Sequence, residues 1–419
     1  MDNLTHTLAG LLVAETAIAF AGRSGQPISA RARRVSLIAS AVANNIPDAD
    51  FVYAWITPGK LGYLLHHRGH THTLLVGLLL GFACFWLSAR VLERRSTKGA
   101  PNSTPLERRL LLGMCLLGPA LHIALDATNN YGVHPFWPLY SGWLYGDAVF
   151  IVEPWLWIVT LPALIASARS TIARWVWISI LLAGLALAWA FPGVLAITAV
   201  ALTLSALALG LAAFQLDAVG RWRAAALGWL LVTAVFFAGS RLARATLLDA
   251  LAVEPRAGSR TTLEVVVTPL VANPFCYSTI AIEVTDKDYR LSLARVSLLP
   301  SLIDARRCSS EHQTITAKLG SAGLPSARVA WQGRFEGSLE RLRSLAERCD
   351  VAAFLRFARA PYWNESGEHG VLIGDLRYDR SEDVEFAEIP LDATVPRCPP
   401  RVPGWTPPRR DLLDHLRLD

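Results

Sequence analysis

The chain has 419 residues, 53% of them hydrophobic and only 18% charged, with a formal net charge of +6 and a mean hydropathy of +0.34. This is too apolar and too charge-poor for an ordinary soluble protein, so the composition points to an integral membrane protein. The first 21 residues carry Asp2, His6 and Glu15 and lack a basic region ahead of their apolar run, so that run is expected to be retained rather than cleaved.

A helical crossing of a hydrocarbon core takes roughly 20 apolar residues at about 1.5 Å per residue. Eight segments approach that length: 4–21, 35–56, 72–89, 110–130, 150–168, 175–191, 193–216 and 224–240, the first two with polar residues inside or at the end. They predict a polytopic α-helical membrane domain over residues 1–244, with its chemistry in 1–160. From about Ala245 charges, prolines and turn residues return, and residues 245–419 read as a soluble α+β domain. Thr261 to Val267 and Ser278 to Val284 are β-branched and predict strands, with turns at Asn273-Pro274 and at Asp286 to Asp288. Leu339, Leu342, Leu345 and Ala346 recur at helical spacing and predict a helix over 338–357. Val371 to Tyr378 reads as a strand, and the stretch with Pro396, Pro399, Pro400, Pro403, Pro407 and Pro408 as an irregular tail. Cys276, Cys308, Cys349 and Cys398 are an even set that could form two disulfides in an oxidising compartment, in any of three pairings, or remain buried thiols. Their spacing is too long and irregular for a zinc ribbon.

If the eight segments alternate, the loops 22–34, 90–109, 169–174 and 217–223 share one side and hold fourteen Lys and Arg. The loops 57–71, 131–149 and 192 hold only Lys60 and Arg68. Basic loops stay cytoplasmic, so the second set is expected outside, together with the N-terminus and the soluble domain.

That orientation gathers the titratable residues of the apolar half on one face. His122 and Asp126 are four apart on a helix and project from the same side, as ligands of one ion or two neighbouring ions, or as a hydrogen-bonded pair. A carboxylate at that depth is costly unless paired or coordinated. Asp48 and Asp50 follow Pro47, where helix geometry breaks; paired carboxylates suit a bridging ligand or a general base, although Pro-Asp-x-Asp is also a common turn. His66, His67, His70 and His72 put four of the ten histidines in seven residues; neutral imidazole is a common zinc ligand, although a histidine-rich loop could also be a solvated, pH-sensitive surface or an adventitious metal binder. Arg68 among them could hold an anionic group such as phosphate, or simply pair with Asp48 or Asp50. His6, His134 and Glu153 lie at the right depth to join as further ligands, whereas Glu15 lies far from them and reads as a local polar contact. Phe136, Trp137, Tyr140, Trp143 and Tyr145 read as an interfacial belt, or as the entrance for a lipid-like substrate.

Four ordered motifs carry a resemblance. Asn3 to Gly10, Asn45 to Asp50, His67 to Thr73 and His122 to Thr128, followed by Tyr131 to Phe136, resemble the bacterial inner-membrane metal-dependent hydrolases of domain of unknown function 457. The resemblance covers roughly the first 160 residues; the soluble part, with Asn273-Pro274-Phe275, looks like the extra domain of a longer subgroup. That family is distantly grouped with zinc-dependent phospholipase C and P1 nuclease, helical enzymes holding a zinc cluster with His and Asp side chains. The soluble relatives begin with a metal-binding residue exposed by processing, a pattern from which Met1 departs. The resemblance implies that His122 and Asp126 are ligands, that Asp48 or Asp50 bridges metals or acts as base, and that one or more of His67, His70 and His72 bind metal.

The expectation is therefore an inner-membrane hydrolase using one to three divalent ions, zinc for preference, on a phosphoester or lipid-linked substrate at the outer face. No nucleic-acid partner is expected. The rival is a membrane binding or regulatory protein with a structural metal site. A transporter would need polar residues through the depth of several helices, and 175–240 is almost wholly apolar.

Overall fold

The computed structural model describes residues 1–93, 103–253, 260–308, 319–320, 323, 326–367, 370–379, 383–392 and 397–413. Arg94, Arg95 and Lys98 of the basic loops and Pro396 of the tail lie outside the described residues.

The apolar half forms α1 (Asn3–Arg23), α2 (Ala30–Ala43), a short α3 (Lys60–His66), α4 (Leu74–Glu93), α5 (Pro105–Asp126), α6 (Pro154–Ser167), α7 (Thr171–Ala190), α8 (Ala196–Gln215) and α9 (Ala218–Val253). Six of these, α1, α4, α5, α7, α8 and α9, are long and apolar enough to cross a membrane. The two other expected crossings are shorter. Helix α2 stops at Ala43 and gives way to 3-10 turns at Ile46–Val52 and Ala54–Ile56, while α6 begins only at Pro154. At 14 residues each they reach about 21 Å. Proline explains both limits. Pro47 opens the 3-10 turns, and Pro154 occupies the first helical turn, where its missing N–H costs nothing.

Caps and close approaches set how the helices meet. The Asp2 carboxylate accepts from the Thr5 N–H to start α1, and Thr104 with Glu107 forms a reciprocal capping box on α5. Glu107 also accepts from the backbone N–H of Ser29 at 2.8 Å, tying the start of α2 to that of α5. Glu15 pairs with Arg33 between α1 and α2, the local polar contact expected of it. A Cβ on Gly118 of α5 would lie 2.6 Å from the Ala43 Cβ, so only glycine lets the end of α2 come so close.

Helix α9 runs through the expected boundary at residue 244 without a break. Its 36 residues span about 54 Å, so its last turns leave the apolar bundle. There Ala243, Leu247 and Leu251 pack on the sheet of β1 (Thr261–Leu270), β2 (Asn273–Val284), β3 (Asp288–Ser297) and β4 (Val329–Ser338), an antiparallel meander in sequence order. Asn273-Pro274 opens β2 instead of making the turn; Ala272, at φ 57°, turns the chain one residue earlier. The single helix expected over 338–357 is two, α10 (Leu339–Ala346) and α11 (Cys349–Phe354), followed by a second sheet of β5 (Pro361–Gly367), β6 (Gly370–Asp375) and β7 (Glu388–Leu391). Disulfides join Cys276 to Cys308 and Cys349 to Cys398, selecting one of the three pairings.

The two parts share one core. Leu61, Leu64, Leu65 and Tyr131 from the membrane half are buried with Phe335, Phe354, Phe357 and Tyr362 from the soluble half. Arg359 donates to both oxygens of Asp147, at 2.6 and 2.8 Å, with both side chains buried, and also pairs with Glu264. The tail is ordered on this seam: the buried Trp405 donates to the Leu65 carbonyl at 2.9 Å, and α12 (Arg410–Leu413) ends the described chain. The expected aromatic belt divides accordingly. Phe136 and Tyr140 are exposed, while Trp143 donates to the Arg356 carbonyl and Tyr145 lies under the Arg359 guanidinium, inside the seam.

Because truncating one partner of a buried pair strands the other charge, Arg359→Ala should lower stability by about 3–5 kcal/mol, read as a fall in the thermal unfolding midpoint of the purified protein. Asp147→Asn tests the same contact from the other side. Non-reducing peptide mapping should recover Cys276 with Cys308 and Cys349 with Cys398, and any exchanged pairing contradicts this arrangement.

Candidate metal centre

Five chain segments deliver polar side chains to one end of the bundle. They are the start of α1 (His6), the 3-10 turns after α2 (Asp48, Asp50), the 3-10 turn His70–His72 before α4, and the last turn of α5 (His122, Asp126), with Arg68 on the loop after α3. Asp48, His72, His122 and Asp126 form the closest group, with one ligand atom from each within 4.8 Å of the others. His72 Nε2 lies 3.1 Å from His122 Nε2, 3.3 Å from Asp48 Oδ1 and 3.3 Å from Asp126 Oδ2. His122 Nε2 lies 3.4 Å from both Asp48 Oδ1 and Asp126 Oδ2. A tetrahedral ion with bonds of about 2.0–2.1 Å holds its ligand atoms about 3.3–3.4 Å apart, and these five distances, 3.1–3.4 Å, are of that size, so the group could hold one divalent ion.

The surrounding contacts orient the ligand atoms. His122 Nδ1 donates to the Asn44 carbonyl at 2.6 Å, which leaves Nε2 as the nitrogen with a free lone pair. The close approach at Gly118 is what brings that carbonyl within reach. Asp50 Oδ2 sits 3.1 Å from His72 Nδ1, orienting the second imidazole in the same way. Asp50 is completely buried and also accepts from His67 Nδ1 at 3.0 Å and from the Arg68 backbone N–H at 2.8 Å. The two aspartates of the Pro-Asp-Ala-Asp motif thus divide their work: Asp48 is in the four-residue group, and Asp50 stands behind it. Burial disfavours the charge on Asp50, but the hydrogen bonds from His67 Nδ1 and His72 Nδ1 hold its carboxyl well below the usual carboxylate range.

Arg68 is buried at 3% exposure, with its Nε 3.0 Å from Asp126 Oδ2 and an Nη donating to Asn129 Oδ1 at 2.8 Å. It therefore pairs with Asp126, not with Asp48 or Asp50 through its side chain. Its φ of 56° is uncommon for a residue with a side chain, and the bond from its N–H to Asp50 helps hold it there. Asn129 was not singled out in the sequence, yet it links Arg68 to the Tyr131 backbone N–H at 2.9 Å. The motif next to Asp126 is the only sequence signal that could have pointed to it.

The remaining candidates take different places. His6 stacks on His122 at 3.6 Å with its Nε2 3.3 Å from Asp126 Oδ1, the oxygen that also meets the Met1 α-amine, so it borders the group on its far side. His67 lies next to the group, with its ring held by Asp50. His70 packs between Trp137 and Trp405 and does not join the group, since the tail has claimed its ring. His134 stacks on the same indole at 3.9 Å, with Nδ1 facing the Gly142 carbonyl at 3.3 Å. Burial pushes its pKa down to about 3, so it is a neutral ring in a packed seam. His66 meets Thr57 Oγ1 at 2.8 Å, and Glu153 accepts from the Trp155 N–H as the cap of α6; neither joins the group.

A cavity of about 840 Å³ opens beside the group, with Asp48, His67 and Arg68 in its wall. Asp48, at 17% exposure, is the member of the four that faces it, whereas His72, His122 and Asp126 are at most 1% exposed.

Residues 1–202 match the family model described as YdjM inner membrane protein. The match takes in every candidate residue named above and supports the reading as an inner membrane protein. No curated protein and no solved structure matches the chain.

Removing the orienting contacts should weaken the centre while leaving its four ligand atoms in the chain. Asp50→Asn and Gly118→Ala are each expected to lower metal affinity 10- to 100-fold in chelator competition, the usual cost of losing an outer partner of a ligating histidine. Unchanged affinity in both would remove the case for these contacts.

Proposed function

We propose that the chain is an inner-membrane metal-dependent hydrolase acting on a phosphoester or lipid-linked substrate at the outer face. The observation that carries this reading is the combination of a four-atom group spaced for one divalent ion with Arg68 and Asp48 in the wall of an adjoining cavity. Bound there, a divalent ion, with zinc best suited to this His and Asp set, would supply Lewis acidity toward a phosphoryl oxygen and acidify water. The chain's own groups do the rest. Arg68 offers a fixed positive charge to the anionic ester. Of the two aspartates proposed as base, Asp48 borders the cavity and Asp50 does not, so the proton-accepting role falls to Asp48. The outer placement is supported by the fourteen basic residues of the opposite loops and by two disulfides in the soluble domain. The hydrolase label also draws support from the four motifs that resemble the domain of unknown function 457 hydrolases.

A second reading, a structural metal site in a binding or regulatory protein, is favoured by one observation. The group already offers four protein ligands, the number at which structural zinc sites close. The two readings separate at Asp48. In an enzyme, His72, His122 and Asp126 hold the ion with a fourth position open to water, so Asp48→Asn keeps fold and bound metal and loses turnover; in a structural site Asp48 is the fourth ligand, and its loss takes metal and thermal stability with it.

Elemental analysis of the purified protein should find at least one divalent ion per chain, and His122→Ala or Asp126→Ala should lose it. Wild-type protein that is metal-free and equally stable with or without added zinc would sink both readings. Arg68→Lys, which keeps a positive charge beside the buried Asp126, should keep the metal and lower kcat/KM for phosphoesters by roughly 10-fold or more, in line with weakening a charge-assisted contact worth about 1.5–3 kcal/mol.

A further inference from the structure

The cavity beside the metal centre is built by both domains. Asp48, His67 and Arg68 form its polar side; Phe51, Phe150, Ile151 and Val152 of the membrane half and Phe386 of the soluble half supply apolar wall. Thr268 of β1 closes the seam, accepting from Asn130 Nδ2 at 2.6 Å. A second observation concerns the mouth. The 3-10 segment that carries Asp48 continues into Phe51, Val52 and Trp55, which are 65%, 61% and 76% exposed. Three large apolar side chains in five residues, displayed at one end of a transmembrane bundle, fit the headgroup and acyl boundary of a bilayer and not open water. Phe51 belongs to both features, so the cavity leads from the bilayer surface to the metal centre.

We infer that the ligand of this cavity is a membrane-borne amphiphile with a phosphoester headgroup against Arg68 and the metal centre, and that Phe386 of the soluble domain helps to select its apolar chain. This rests on the hydrolase reading for the identity of the headgroup, but the chain site stands on the cavity walls alone. A water-soluble phosphoester would leave the apolar wall unused. At about 840 Å³ the space is within the range of sites that enclose most of an organic ligand, well beyond what a bare phosphate needs. The soluble domain is then part of the binding site, which the family match over residues 1–202 does not cover.

The test uses non-hydrolysable phosphonates on the full-length, metal-loaded protein in detergent, with binding followed by native mass spectrometry. Dodecyl phosphonate is expected to bind more than tenfold tighter than methyl phosphonate, the effect of burying as few as two methylenes. Phe386→Asp and Phe51→Ser should each lose most of that preference while retaining the metal content of wild type. Equal binding of the two phosphonates, or a preference untouched in both variants, overturns the inference. Turnover of long- and short-chain phosphate esters is measured in parallel. Chain-dependent binding without hydrolysis would refute the hydrolase reading and uphold the chain site. Hydrolysis without chain preference would do the reverse.

Discussion

A carboxylate buried at the end of an apolar helix must be surrounded by positive charge or donors, and Asp126 imposes that requirement on the whole bundle. At 1% exposure it is met by the Arg68 guanidinium, by His6, His72 and His122, and by the Met1 α-amine. Those partners come from the start of α1, the loop after α3, the turn before α4 and α5 itself, so satisfying one carboxylate pins four segments together. The candidate metal centre is the same solution seen from the other oxygen, Oδ2, which faces His72 and His122. With Asp48 and Asp50 the cluster holds three carboxylates against two fixed cations, Arg68 and the Met1 α-amine, an electrostatic setting in which a divalent ion is welcome.

The precision of the cluster depends on backbone geometry that side-chain chemistry alone does not supply. His122 can present Nε2 only because the Asn44 carbonyl holds Nδ1, and that carbonyl is within reach only because α2 ends early and Gly118 leaves room for it. The early end of α2, which costs the bundle a full-length crossing, also frees the chain to place Asp48 and Asp50 on 3-10 turns. A continuous helix over 35–56 would have turned these two residues about 200° apart, and they could not have faced the same histidine.

The soluble domain is bound to this end of the bundle by the extension of α9, by Arg359 on Asp147 and by the returning tail. The tail illustrates where a composition-based reading runs out. Its prolines correctly predict little regular structure, yet Trp405 is buried against both His70 and His134, which pack on it away from the four-residue group. Nothing in the local sequence of either histidine marks it for packing instead of ligation. The same holds for Glu153, whose capping role follows from the start of α6 at Pro154.

Much was legible in the order of residues: an apolar helical half, a strand-rich half, the clustering of His6, Asp48, Asp50, the 66–72 histidines, His122 and Asp126 at one end, and an even set of cysteines for two bonds. These follow from hydropathy, periodicity and loop charge, which are local or additive properties of the chain. Tertiary structure decided which of the candidates meet, because a ligand set is defined by distances of about 3 Å between segments far apart in sequence. It drew Asp48, His72, His122 and Asp126 together, set Asp50 behind His72, and turned Arg68 to Asp126. It also chose one disulfide pairing of three and ran α9 past the point where the hydropathy falls. Each of those outcomes depends on which backbone can approach which, and that is fixed only when the helices pack.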